Sequence, residues 1–161
     1  HAKAGQLALN LEPIDPAEIA EILLPLRLSM EDAGIEFALH IKPGLRAFKA
    51  DRLRLTQVLI NLLTNAMRHV PEAGGKIELS IRQLDQGVEF RLQDNGQGIA
   101  PEDIPHLFER FYRADESRSR DAGDTGLELA IARSYVEAHG GDIRVESQSG
   151  QGAVFYFVLP F

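Results

Sequence analysis

Alternation of apolar and polar residues, with a period of two, predicts β-strands in several short segments of the chain. The predicted strands cover residues 6–12, 35–41, 45–49, 76–84, 87–93, 142–147 and 152–160. Apolar residues at helical spacing predict helices over residues 16–32 and 51–69, and a third helix is predicted over 126–139. Asp15 is a suitable N-cap for the first helix, and Asp51 opens the second.

The order of the predicted elements indicates the fold class. Consecutive strands pair as hairpins around residues 85–87 and 147–152, while the helices are grouped between the strands. Because strict alternation of strand and helix is missing, a doubly wound Rossmann sheet is disfavoured. We expect an α/β (α+β) two-layer sandwich, in which one mixed sheet carries the helices on one face.

Composition narrows the class of protein. The 161 residues suffice for one domain, and their 44% hydrophobic content can form a core. The absence of cysteine excludes disulfides, thiolate zinc sites and a cysteine nucleophile. The net charge of -7 argues against nucleic acid or an anionic membrane as a partner. The chain begins with His1, not Met, and has no membrane-length apolar run, so we expect a soluble fragment of a longer intracellular protein.

The helix predicted over 51–69 carries a polar stripe opposite its apolar face. Gln57, Asn61, Asn65 and Arg68 follow one another at spacings of about one turn. Asparagine is a poor helix former, so a solvated face is a weak explanation for two of them. Their amide oxygens can instead bind a hard cation, and Arg68 can meet a phosphate.

Glycine-rich segments follow several predicted elements. Asp94 ends a strand and can accept a hydrogen bond from an amine, while Gly96 and Gly98 permit close approach of a flat ring; a plain turn is the alternative. Residues 123–129 lead into the last helix and can cradle a phosphate. The alternative there is a capping box between Thr125 and Glu128. The long segment 94–125 is itself typical of a functional loop.

Taken together and in order, these motifs resemble the catalytic, ATP-binding (HATPase_c/GHKL) domain of bacterial two-component sensor histidine kinases. The superfamily to which this domain belongs also contains gyrase, the heat-shock chaperone of ninety kilodaltons and the mismatch-repair ATPases. The resemblance covers essentially the whole chain through five boxes: an N box at 57–69, glycine boxes at 94–99, 125–132 and 150–155, and an F box at 107–113.

The resemblance implies a Bergerat-type ATP-binding fold with a mixed five-stranded sheet and a long lid, over about 97–125, that closes on ATP. By position, Asp94 would bind the adenine amino group, Gly98 would lie beside the ring, and Asn61 and Asn65 would hold Mg²⁺. Phe108 and Phe111 would anchor the lid by packing. The further implied ATP-binding residues are Arg68, His69, Gly96, Ile99, Arg113, Thr125, Gly126 and Leu127.

The implied reaction is transfer of the γ-phosphoryl group of ATP to a histidine on a separate dimerisation domain. The chain would then be a single catalytic domain, 1–161, of a cytoplasmic region in a membrane-bound sensor kinase, with a response regulator downstream. The family's phosphoacceptor motif is missing around all five histidines, so we expect no autophosphorylation of this fragment. His40, His106 and His139 are expected to be structural or solvated, with His139 favourably placed at a helix C-terminus.

The second glycine box departs from the family pattern. Asp124 and Glu128 stand where glycines are usual, and both carboxylates would repel a triphosphate. We expect weakened nucleotide binding, whether the two acids are natural or engineered. The alternative function is a nucleotide-free interaction module of the same fold. A gyrase-type ATPase is disfavoured, because Asn61 stands where those enzymes carry a catalytic glutamate.

Overall fold

The computed structural model describes residues 8–112, 126–147 and 150–161. Its strands are β1 (Leu11–Ile14), β2 (Glu36–Ile41), β3 (Phe48–Asp51), β4 (Lys76–Gln83), β5 (Gly87–Asp94), β6 (Asp142–Ser147) and β7 (Ala153–Pro160). Its helices are α1 (Ala17–Asp32), α2 (Arg52–His69) and α3 (Glu128–Ala138), with a short 3-10 turn at Ile104–His106.

Five of the strands form a mixed sheet in the order β2-β4-β5-β7-β6. The β2–β4 pair is parallel and the remaining pairs are antiparallel. This confirms the predicted mixed five-stranded sheet. Strand β7 lies between β5 and β6, so it is an interior strand of the sheet. A second, two-stranded sheet pairs β1 with β3.

The core lies on one face of the sheet. Strand β4 buries Ile77, Leu79 and Ile81 there and exposes Lys76 and Glu78 on the other face. Aromatic rings of neighbouring strands stack on the buried side, with the ring centroids of Phe90 and Phe157 4.8 Å apart. The apolar face of α2 packs onto this layer, as do buried residues of α1 and α3, which confirms the prediction of helices on one face.

The first strand and the third strand differ from their predicted positions. Strand β1 is Leu11–Ile14, later than the predicted 6–12, and residues 1–7 lie outside the described part. It contains Pro13, which lies just beyond the predicted strand. An edge strand tolerates proline because one side of its backbone needs no ladder hydrogen bond. Strand β3 likewise lies at Phe48–Asp51 and not at 45–49.

Helix ends follow local chemistry. Asp51 is the N-cap of α2, as predicted, and its carboxylate accepts from the Arg54 N–H at 3.1 Å. Asp15 accepts from the Ala17 N–H at 3.0 Å, although the helix boundary itself falls at Pro16. His139 accepts at Nε2 from the Asp51 N–H, 3.0 Å away. The expected structural role of His139 thus includes this tie between the end of α3 and the start of α2.

Candidate functional site

The residue expected to bind adenine lies at a meeting point of three segments. Asp94 ends β5 with only 7% of its surface exposed, and its carboxylate accepts from the Gly96 N–H at 2.8 Å. Gly96 abuts the end of α2: a Cβ on it would lie 2.6 Å from the carbonyl oxygen of His69. The first glycine box and the N box are therefore in direct contact.

The third glycine box closes on Asp94 from the other side. Gly152 has φ +79, and a Cβ on it would lie 2.1 Å from the carbonyl oxygen of Asp94. Only glycine permits this approach, since the obstructing atom belongs to backbone and the φ angle disfavours other residues. A motif that reads as a simple hairpin turn in sequence thus forms one wall of the site.

The Asp94 carboxylate is poised as an acceptor. Burial raises the pKa of Asp94 above its usual range, and N–H groups of Gly96 and Ala153 lower it in part. These two donors orient the carboxylate and satisfy part of its hydrogen-bonding capacity. The remaining lone pairs can accept from an exocyclic amine.

The start of the predicted lid is tied to the β6–β7 hairpin. Gly98 has φ +77 and leads into Ile99, whose N–H donates to the Ser147 hydroxyl at 2.8 Å. The Gly150 N–H donates to the carbonyl of Gln97. Ser147 is missing from the residues predicted for the site, because a single serine at a strand end carries no signal in one sequence.

The polar stripe of the N box is covered by another helix. Asn61 belongs to this stripe and is buried, at 4% exposure. Its Oδ1 accepts from Gln57 Nε2 at 2.7 Å, and its Nδ2 donates to the carbonyl of Glu128 at 3.0 Å. The physical reason is α3, which packs across this polar stripe. Asn65 is half-buried, and its side chain makes no hydrogen bond within the described part of the chain.

The start of α3 bears on the alternative of a capping box in the second glycine box. Helix α3 begins at Glu128 with Leu127 as N-cap, and the Leu127 side chain makes no capping hydrogen bond. Glu128 is therefore the first helical residue and not the fourth position of a capping box. Its Oε2 faces the Arg68 Nη2 at 3.4 Å. Arg113, Asp124 and Thr125 lie outside the described residues.

The two lid phenylalanines behave differently. Phe108 packs edge-on against Phe155 in the core, with ring centroids 6.2 Å apart, as expected of an anchor. Phe111 is 69% exposed, so the prediction that it anchors the lid by packing is wrong. Its φ is +66, and its N–H donates to the Gly126 carbonyl at 2.7 Å. Phe111 thus acts through its backbone.

A metal-binding cluster and a membrane-spanning helix are both absent from the described residues. These residues contain no group of three or more His, Asp or Glu side chains that could hold a metal ion. None of the described helices combines the length and the apolar character that crossing a membrane requires.

Comparison with known proteins agrees with this geometry. The family described as histidine kinase-, DNA gyrase B-, and HSP90-like ATPase matches residues 50–161. The sensor histidine kinase WalK of Bacillus subtilis is 39% identical over 154 residues, which cover 94% of this chain and 25% of WalK. The chain thus spans about a quarter of the length of that relative.

Solved structures show the same fold. The nucleotide-free catalytic domain of the histidine kinase ThkA superposes with a TM-score of 0.79 at 27% identity, covering 94% of this chain and 96% of that one. Full-length ShkA in complex with AMPPNP gives a TM-score of 0.80 at 34% identity, covering 97% of this chain and 32% of ShkA. Because the family model matches more than half of its residues, the chain belongs to the histidine kinase-, DNA gyrase B- and HSP90-like ATPase family.

Proposed function

We propose that this chain is the ATP-binding catalytic domain of a sensor histidine kinase, and that it transfers the γ-phosphoryl group of ATP to a histidine on a separate dimerisation domain. The observation that carries the proposal is the buried Asp94 carboxylate, oriented by two N–H groups where the first and third glycine boxes meet the end of α2. A buried, oriented acceptor beside closely packed glycines fits the amino edge of adenine.

The base and phosphate ends of ATP would occupy different parts of this site. Asp94 would accept from the adenine amine, with Gly98 beside the ring. Arg68, near the start of α3, would meet the phosphates at a helix N-terminus. The other residues proposed to line the nucleotide are His69, Gly96, Ile99, Phe108, Arg113, Thr125, Gly126 and Leu127.

Mg²⁺ would be held through Asn65 and Asn61, whose amide oxygens suit a hard cation. Asn65 is the more available, since Asn61 is engaged with Gln57 and with the Glu128 carbonyl. When bound, the ion neutralises phosphate charge. The chain's own contribution is to position the nucleotide and exclude water, which is what phosphoryl transfer chiefly requires.

The wider setting is part of the proposal. The similarity to sensor histidine kinases supports a place for the whole chain, 1–161, as one catalytic domain of a longer, membrane-bound sensor, on its cytoplasmic side. Its partners would be the dimerisation domain and, downstream, a response regulator, with no direct contact to membrane or nucleic acid. This chain alone would not autophosphorylate, because it lacks the phosphoacceptor motif.

Nucleotide titration tests the proposal. Mg-ATP should bind the chain, and Asp94→Asn should abolish that binding, whereas Asp85→Asn, an exposed aspartate in the β4–β5 turn, should leave it unchanged. Adding a dimerisation domain with its histidine should yield acid-labile phosphohistidine. If Asp94→Asn binds Mg-ATP as well as the unaltered chain does, the proposed base site is wrong.

We further propose that the two acids in the second glycine box weaken nucleotide binding. Glu128 is the first residue of α3, and its carboxylate faces Arg68 at 3.4 Å. An anion placed there repels phosphate by about 1 to 4 kcal/mol, depending on the effective dielectric. The observation is specific to Glu128, since Asp124 lies outside the described residues.

Titration calorimetry distinguishes weakened nucleotide binding from a complete loss of nucleotide binding. Asp124→Gly/Glu128→Gly should bind Mg-ATP about tenfold or more tightly than the unaltered chain, and Glu128→Gln should give part of that gain by removing charge at constant size. Equal, tight binding by all three chains would refute the weakening. Undetectable binding by the glycine variant would favour a nucleotide-free interaction module instead.

A further inference from the structure

Ser147 joins three segments of the proposed nucleotide site through a single hydroxyl group. Its Oγ accepts from the Ile99 N–H at 2.8 Å and donates to the Gly152 carbonyl at 2.7 Å. A serine hydroxyl has one proton to donate, and here the Gly152 carbonyl takes it, which leaves the lone pairs for Ile99. The end of β6, the third glycine box and the start of the predicted lid are thereby linked.

Both peptide groups that flank Gly98 are held by the β6–β7 hairpin. The Gly150 N–H donates to the Gln97 carbonyl, which orients the peptide entering Gly98. Ser147 holds the Ile99 N–H, which orients the peptide leaving it. Because each peptide unit is planar, these two contacts together fix the backbone on either side of Gly98.

The same hairpin also holds Asp94. The Ala153 N–H donates to the Asp94 carboxylate, and Gly152 packs against the Asp94 carbonyl. Asp94, Ser147 and Gly152 share the lining of one groove, of about 270 Å³. The spacing between the Asp94 carboxylate and the Gly98 backbone is therefore set from one element.

We propose that Ser147 is a positioning residue for base recognition, an inference that rests on the proposed function. Adenine would have to fit between the Asp94 carboxylate and the Gly98 backbone at one spacing. Without the Ser147 hydroxyl, the Ile99 N–H loses its partner and the Gly98 peptide is free to turn. Recognition of the base then weakens, together with discrimination against guanine, which carries a carbonyl oxygen where adenine carries its amine. Contacts to the phosphates do not change.

Binding measurements with three probes test this proposal. Mg²⁺ complexes of ATP, GTP and inorganic tripolyphosphate are titrated into the unaltered chain and the Asp124→Gly/Glu128→Gly background. Ser147→Ala should weaken ATP binding about 2- to 10-fold, which is the effect of one hydrogen bond. It should also reduce the preference for ATP over GTP and leave the affinity for tripolyphosphate unchanged. Ser147→Thr should restore ATP binding. The matched control Ser29→Ala removes an exposed hydroxyl on α1, which donates to the Pro25 carbonyl, and should change nothing.

Equal weakening of ATP and tripolyphosphate would overturn the proposal, because it would indicate general disruption. Unchanged ATP affinity in Ser147→Ala would overturn it as well. Amide hydrogen exchange gives a readout without nucleotide: the Ile99 N–H should exchange about 2- to 10-fold faster in Ser147→Ala and at the original rate in Ser29→Ala. If the Ile99 N–H exchanges at an unchanged rate in Ser147→Ala while the chain still binds ATP, the proposed role of Ser147 is wrong but the proposed function is not. Absence of ATP binding in every chain would refute the proposed function, and base recognition with it.

Discussion

Gly152→Ala should strongly lower the free energy of unfolding, and the structure allows the size of this loss to be estimated. A Cβ at Gly152 would lie 2.1 Å from the Asp94 carbonyl oxygen, an atom of a central strand that cannot move away. Overpacking of this kind costs about 1 to 3 kcal/mol. The φ of +79 adds about 1 to 2 kcal/mol for a residue with a side chain. The sum is roughly 2 to 5 kcal/mol.

Gly150→Ala provides a control in the same turn. Gly150 has φ +82, but a Cβ on it would meet nothing within 4 Å. This variant should therefore lose only the conformational part, about 1 to 2 kcal/mol. The difference between the two variants isolates the contact with Asp94.

Urea denaturation followed by far-UV circular dichroism measures both losses, since the chain has no tryptophan to report unfolding by fluorescence. Equal slopes against urea would show that the compared states are the same. If Gly152→Ala is no less stable than Gly150→Ala, the close approach between the third glycine box and Asp94 is wrong. The wall of the proposed base site would be wrong with it.

Three further predictions concern charged and amide groups. The pKa of Asp94 is raised in the folded state. The stability that this carboxyl group contributes is therefore fully present below the ordinary aspartate pKa and is lost as the pH rises through its pKa in the folded protein. The free energy of unfolding of Asp94→Asn should not show this decrease with pH. For Asp51, burial raises the pKa, but N–H donors at Asn10 and Arg54 outweigh it, so its pKa is lowered. Its advantage over Asp51→Ala in denaturation should be present above the ordinary pKa and disappear as pH falls through the folded value. Asn61→Ala should cost about 1 to 3 kcal/mol in the same assay by leaving the part-buried Glu128 carbonyl without its partner. Asn65→Ala should leave stability unchanged and weaken Mg²⁺-dependent ATP binding.

Each of these three has a contrary result. A stability difference between the unaltered chain and Asp94→Asn that is independent of pH would contradict the raised pKa. An Asp51→Ala deficit that persists unchanged into strong acid would contradict the lowered one. Equal stability of the two asparagine variants would show that burial of Asn61 against α3 does not matter.

The periodic elements of this fold could be predicted because burial on one face imposes a period on the sequence. Strand order could not, since nothing local to β7 says that it inserts between β5 and β6. The same limit explains Asn61: a polar residue on an amphipathic helix suggests solvent, and only the packing of α3 reveals that it is buried. Phe111 shows the opposite error, because its apolar side chain suggests burial whereas the structure leaves it 69% exposed.

Local motifs also lead to wrong predictions where one sequence pattern is compatible with two local structures. Thr125 and Glu128 have the spacing of a capping box, yet α3 begins at Glu128, which is its first helical residue and not the fourth position of that motif. Ser147 shows the converse, since its role depends on Ile99, which lies 48 residues away in sequence. Tertiary partners of this kind leave no signature in a single sequence.

The position of α3 has a physical basis that lies outside the proposed site. At its C-terminal end, the His139 ring accepts from the Asp51 N–H. One turn earlier, Arg54 donates to the Tyr135 hydroxyl at 3.2 Å, with its guanidinium 5.0 Å from the centre of that ring. The Nε of Arg54 is buried without a hydrogen-bond partner among the described residues, which costs stability. The ring contact and the hydroxyl bond offset that cost in part.

At the other end of α3, Asn61 holds the Glu128 carbonyl. A helix of 11 residues is about 16 Å long and moves nearly as a rigid body. Fixing its C-terminal end against the start of α2 therefore constrains where its first turn, with Glu128, lies relative to Arg68. It follows that the phosphate end of the proposed site depends on the Arg54–Tyr135 and Asp51–His139 contacts, although none of these residues would touch the nucleotide.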